Sequence, residues 1–194
     1  MMRVQHLPLA LFALIAPLFL LANSSAPLTF ALDPGASNVS AKVPFFGLSS
    51  KTARFPKMSG AVTIVPGSPE QANIDVTFDA TALQAPDKLT LSRLRGEKFF
   101  WVEKYPTVRF VGNSLNLSSA THGTVKGTLT ARGVSRPQTL DVKFDTAPLT
   151  SPRGQAVSFT ATTTIDRRKY GMKSYQLIVG NKVDITLRAK MLPN

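Results

Sequence analysis

Alternation with a period of two runs through most of the chain. Val39, Ala41, Val43 and Phe45 fall on one face of a stretch whose other face carries Ser40 and Lys42. The same rhythm returns at Val62/Ile64, Ile74/Val76/Phe78, Val108/Phe110 and Leu115/Leu117. It continues at Val125/Gly127/Leu129, Leu140/Val142/Phe144, Val157/Phe159/Ala161/Thr163/Ile165 and Val183/Ile185/Leu187/Ala189/Met191. Successive side chains of a strand point to opposite faces, so each segment predicts a strand with one apolar and one wet side. Strands of that kind build antiparallel sheets. Turn signals separate them: Pro66-Gly67-Ser68-Pro69, His122-Gly123, Arg132-Gly133, Ser151-Pro152-Arg153-Gly154 and Gly180-Asn181. Eight or nine strands at this spacing predict a sandwich or a closed barrel, and closure removes the unpaired edges that invite aggregation.

One segment departs from the alternation. Over residues 87–101 the apolar positions Leu89, Leu91, Leu94, Phe99 and Phe100 are spaced as on a helix. Asp87 is placed to cap it, and Gly96 to end or kink it. The predicted helix lies across one end of the strands. It runs into "GEKFFWVEKYPTVRF", residues 96–110, which holds five of the sixteen aromatic residues and the single tryptophan, Trp101. Three roles compete for this cluster: a plug over a core, a foot on a membrane, or one wall of a ligand cavity. Its rings span a helix end and a strand start, which disfavours a single exposed foot. Phe110 reads as an inward strand residue, and Phe99, Phe100 and Trp101 as a stopper that anchors the helix across the end of the strands.

Composition changes the picture at the N-terminus. Arg3 precedes an uncharged apolar run over residues 7–22, and Ala22-Asn23-Ser24-Ser25-Ala26 supplies small residues after it. This is the order of a secretory signal peptide, cut after Ser24. The run is 16 residues long and interrupted by Pro17, short of the roughly 20 that span a bilayer. The expected layout is a signal peptide over 1–24 and one domain over 25–194, exported and soluble. Cysteine is absent, so the core forms without disulfides and no acylated cysteine anchors the chain. The formal net charge is +12, or +11 once Arg3 is removed with the leader. Such a balance favours solubility and draws anionic surfaces, including membranes. No nucleic-acid-binding motif accompanies it.

Catalytic chemistry has little to stand on. His122 is the one histidine beyond the leader and falls in a turn, so a His/Cys zinc site or a Ser-His-Asp triad has too few members. Most acids sit on the wet faces of strands. The sequence therefore indicates no enzyme and requires no cofactor. A cavity is the better prospect. Phe45, Phe78, Phe110, Phe144 and Phe159 face inward with Leu129, alternating with small Ala41, Gly127 and Ala161. An eight-stranded barrel is either filled by such side chains or just wide enough for one ligand, and periodicity leaves both open. The segment "IDRRKYGMK", residues 165–173, mixes four basic residues with Tyr170 and Met172. It suits either a solvated loop or a head-group site at a barrel mouth, with Arg167 and Arg168 as the cations.

Five stretches in order carry a family resemblance: "SNVSAKVPFFGL", "FPKMSGAVTI", "LRGEKFFWVEKYPTVRF", "GTLTARGVSRPQTLDVKF" and "ATTTIDRRKYGM". Together they resemble the YceI-like family, periplasmic polyisoprenoid-binding proteins with a lipocalin-like barrel. The fourth, a G-x-L-T-x-x-G-V-x-x-P-x-x-L hairpin, is the most specific. The resemblance covers residue 30 to the C-terminus. It implies an eight-stranded antiparallel barrel, a short helix across one end, no established catalytic activity, and a hydrophobic tunnel for an isoprenoid quinone or polyprenyl phosphate. Candidate tunnel residues are Phe45, Phe78, Phe99, Trp101, Phe110, Leu129, Phe144, Phe159, Tyr170 and Met172. Candidate head-group residues are Arg93, Arg95, Arg167 and Arg168. Many relatives carry a histidine near the helix, which "DKLTLSRLRGEKFF" lacks. The competing function is a ligandless module that binds anionic membrane or envelope surfaces through its basic face.

Overall fold

A computed structural model of the chain describes residues 26–150 and 154–194. The expected leader, residues 1–24, lies outside them. Ten strands form one antiparallel sheet: β1 (Leu28–Leu32), β2 (Asn38–Phe45), β3 (Ser49–Phe55), β4 (Met58–Ile64), β5 (Asn73–Asp79), β6 (Thr107–Leu117), β7 (His122–Ala131), β8 (Val134–Phe144), β9 (Val157–Asp166) and β10 (Lys182–Pro193). The order β1-β4-β5-β6-β7-β8-β9-β10 closes on itself, because β1 pairs β4 along one edge and β10 along the other. β2 pairs a neighbouring stretch of β10, and β3 pairs β2. β1 with β2, and β3 with β4, thus act as two broken staves of a closed eight-stranded barrel.

The breaks are fastened locally. Ser37 Oγ accepts the Lys190 amide at 3.0 Å, and the Asp33 amide donates to the Lys190 carbonyl at 2.9 Å, where β1 gives way to β2. Arg54 and Gln84 exchange both backbone bonds, so the chain following β5 covers the free edge of β3.

Periodicity found most of these strands. It missed β1, which is short, and β3, whose "SSKTARF" buries only Ala53 and Phe55. It also left a parity change in β6 unexplained. Val108, Phe110 and Gly112 face the core, and so does Leu115, three residues further on. A bulge between Gly112 and Ser114 inserts the extra residue and restores the inward direction.

Between β7 and β8 the two-residue turn Arg132-Gly133 has both φ values positive, 51° and 71°, as a type I′ hairpin turn requires. β8 pairs β7 along its length but meets β9 only from Asp141 to Phe144. Pro137, which has no N–H to donate, lies in the part of β8 that has left β9. Side chains bridge this seam. Gln138 Nε2 donates to Thr163 Oγ1 at 2.5 Å, and Thr163 Oγ1 to the Thr139 carbonyl at 2.8 Å.

The helix α1 (Lys88–Arg95) forms where the sequence predicts it. Asp87 caps it by accepting the Thr90 amide at 2.8 Å, and Gly96 ends it. Among the described residues no helix is long and apolar enough to cross a membrane.

Candidate functional site

The inward faces of the strands do not meet at the barrel axis. They enclose an apolar cavity of about 350 Å³, within the range of small-molecule sites. All five inward residues of β9, from Val157 to Ile165, line it. At about 3.3 Å per residue and a tilt near 40°, that run makes the cavity roughly 20 Å long.

Phe110 shows how the lumen is kept open. Gly112 and Gly127 face each other across β6 and β7. A Cβ at Gly127 would stand 2.6 Å from Phe110 Cζ and 2.4 Å from the Val111 carbonyl oxygen. The ring therefore lies along the wall over the two glycines instead of projecting across the barrel. Small residues beside large rings here mark wall-hugging aromatics around a space.

Pro148, Leu115, Ala72 and Met191 line the end nearest the β6–β7 hairpin. The other end carries the stopper. Phe99 stacks on Tyr175, with centroids 6.0 Å apart and planes within 7°. Phe100 packs edge-on to Phe55. Tyr175 belongs to residues 171–181, the loop between β9 and β10, which is held from inside by Arg167. That guanidinium, 2% exposed, donates to the carbonyls of Met172 (2.5 Å), Ser174, Val179 and Gly180 (2.8 Å each). Burial lowers its pKa from the ordinary arginine value, opposed by nearby Asp166. Arg132 ties the same end together by donating to the Gly171 and Glu97 carbonyls at 2.9 and 2.8 Å.

Beside the stopper is a mouth framed by Phe45, Lys51, Asp87, Leu89, Thr90 and Arg93. Lys51 and Asp87 join β3 to the helix at 2.9 Å. The Asp87 carboxyl is held down to about 2, chiefly by the Thr90 amide and then by Lys51 and the Thr90 hydroxyl. Arg93 lies over the Tyr175 ring at 5.3 Å. The mouth is charged at its rim and apolar behind it.

The structure sorts the expected residues. Phe45, Phe78, Phe110 and Leu129 line the cavity, as do Phe144, Phe159, Phe99 and Met172. Arg93 and Arg167 line it too. Four others do not. Trp101 sits outside the lining with positive φ (49°), its ring edge-on to Tyr105 and beneath Lys104 Nζ. The chain turns sharply there to re-enter the sheet, which takes the indole away from the lumen. Tyr170 is buried in the short turn after β9 but faces away from the space. Arg95 donates to the Thr81 carbonyl at 2.8 Å, and Arg168 pairs with Asp166 at 2.6 Å.

Sequence reasoning missed Tyr175, Ile178 and Val179, which lie in a loop without periodicity. It also missed Gln138, whose parity with Leu140 and Val142 would have marked it as inward. His122, expected in a turn, is instead the first residue of β7, with Nδ1 near the Thr121 hydroxyl, and the described residues hold no group of three or more possible metal ligands.

A closed antiparallel barrel with an elongated apolar lumen and a charged mouth defines a lipocalin-like architecture. The chain belongs to the YceI-like domain family, whose profile matches residues 30–191. A UPF0312 protein of Pseudomonas putida strain GB-1 is 27% identical over 132 residues, covering 68% of this chain and 69% of that one. BcnA of Burkholderia cenocepacia superposes with a TM-score of 0.72 at 22% identity, covering 82% of this chain and 98% of its own. A polyisoprenoid binding domain from Saccharophagus degradans, implicated in plant cell wall breakdown, superposes with a TM-score of 0.64 at 15% identity, covering 86% and 99%.

Proposed function

We propose that this chain is a binding and carrier protein for an amphiphilic isoprenoid lipid, acting in the periplasm after removal of residues 1–24. The tail of an isoprenoid quinone or polyprenyl phosphate occupies the lumen, and its polar head rests at the mouth near Lys51 and Arg93. One observation carries this reading: the cavity runs the length of β9 and is lined almost entirely by apolar side chains. Each methylene buried there contributes about 0.8 kcal/mol, so a long chain is held by length more than by its head. The polyisoprenoid-binding neighbour supports the ligand class. The same cavity counts against a ligandless module, because a barrel with no cargo has nothing to offset the packing its empty lumen forgoes.

The test is native mass spectrometry and organic extraction of the purified chain, followed by uptake of ubiquinone and undecaprenyl phosphate from detergent. Co-purifying lipid or saturable uptake of either supports the assignment. A barrel that carries nothing and takes up neither overturns it.

A further inference from the structure

Six large hydrophobic side chains are exposed among the described residues, and four of them gather at the cavity mouth. Phe46 (60% exposed) and Leu48 (98%) form the tip between β2 and β3, and Leu177 (100%) tips the loop between β9 and β10. The two tips are bound to each other. The Phe46 amide donates to the Ile178 carbonyl at 2.8 Å, and Phe45 forms a β-bridge with Val179. Leu89 on α1, also exposed, lines the mouth. Phe46 and Gly47 both have positive φ, so the tip holds an aromatic ring outward in a conformation that non-glycine residues avoid.

Cations accompany this rim. Arg93 and Lys98 lie over the Tyr175 ring at 5.3 and 5.4 Å, and Lys173 is exposed in the Leu177 loop. Asp87, the one acid lining the cavity, is already paired with Lys51. Apolar tips ringed by basic side chains match a bilayer with anionic head groups, where leucine and phenylalanine enter the acyl boundary and lysine and arginine meet phosphate.

We infer that Phe46, Leu48 and Leu177 are a membrane-docking foot that sets the cavity mouth against the surface of an anionic bilayer. The membrane foot, already disfavoured for residues 96–110, thus falls on two loop tips. This deepens the proposed function, since a lipid carrier has to meet a bilayer with its opening. Cargo then passes between acyl chains and lumen without crossing water.

The chain has no cysteine, so single-site labels are direct. Leu48→Cys, Leu177→Cys and, as a control, Leu192→Cys are each labelled with an environment-sensitive NBD dye. They are mixed with vesicles of phosphatidylglycerol and phosphatidylethanolamine, or of phosphatidylcholine alone. The expected result is a blue shift at positions 48 and 177 on the anionic vesicles and none at 192. In sedimentation, Leu48→Ser/Leu177→Ser is expected to weaken binding to the anionic vesicles about tenfold or more. Both side chains are solvent-exposed, so the double variant keeps its fold and its quinone uptake from detergent.

Three results overturn the foot: no vesicle binding by the parent chain, equal binding by the double variant, or a concentration-dependent dimer abolished by the double substitution without vesicle binding. Vesicle binding by a chain that carries no lipid and takes up neither ubiquinone nor undecaprenyl phosphate leaves the foot standing and removes the carrier function. Uptake without vesicle binding does the reverse.

Discussion

Replacing Arg167 by methionine removes a guanidinium that donates to the carbonyls of Met172, Ser174, Val179 and Gly180. These four bonds hold the loop carrying Tyr175, and Tyr175 is half of the stacked pair over the barrel end. Each bond from a charged donor contributes about 1.5–3 kcal/mol net, but the four share one guanidinium, the carbonyls are neighbours, and water reaches some of them once the loop loosens. A loss of roughly 3–5 kcal/mol follows, comparable to breaking other buried charged networks. For a domain of this size that lowers Tm by roughly 10 °C. Calorimetry reads the Tm, and amide exchange over residues 172–180 reads the loop. Arg167→Lys retains the charge and up to three donors but not the fork, and falls between parent and methionine variant. The opposite role for Arg167 is direct contact with a ligand head group. On that role the methionine variant loses lipid while Tm and loop protection stay at parental values, and such a result refutes the reasoning.

Three further outcomes are expected. Ala161→Phe puts a ring into open lumen, so urea unfolding shifts by less than about 1 kcal/mol where a filled core would lose about 1–3, and retained lipid falls about tenfold. Trp101→Ala costs about 1–2 kcal/mol through lost contact with Tyr105, measured by urea titration, and leaves quinone uptake unchanged because the indole is outside the lining. Acid weakens the barrel in a defined window. The Asp87 and Asp166 carboxyls titrate at about 2 in the folded chain, against about 3.9 unfolded, so their contribution is complete above pH 4 and is lost as pH falls through 2. Urea midpoints at pH 6 and pH 3 show the loss, and Asp87→Asn, which cannot titrate, removes the Asp87 share and leaves that of Asp166.

Strand identity, the antiparallel sheet, the capped helix and the inward direction of most aromatics were legible in the order of residues. Each is a local property: period two sets the faces, Asp87 caps three residues ahead, and Arg132-Gly133 fits a turn with two positive φ values. β3 was illegible because at the mouth a strand faces charge and solvent, and its alternation fades. Tyr175 was invisible for a related reason, since a loop held by Arg167 donating to backbone carbonyls leaves no pattern in its own side chains.

The choice between a filled and a hollow barrel lay beyond the sequence. Phe110 buries the same ring whether it crosses the lumen or lies on the wall, and hydrophobic stabilisation follows area removed from water and not direction. Only the pairing of Gly112 with Gly127 across two strands, set by a bulge at residue 113, lays that ring flat. The sequence by itself determined which faces are apolar. The closure of β1 on β10, which turns those faces toward a common axis and leaves space between them, was decided by tertiary structure, because register and ring closure depend on residues more than 150 positions apart acting together.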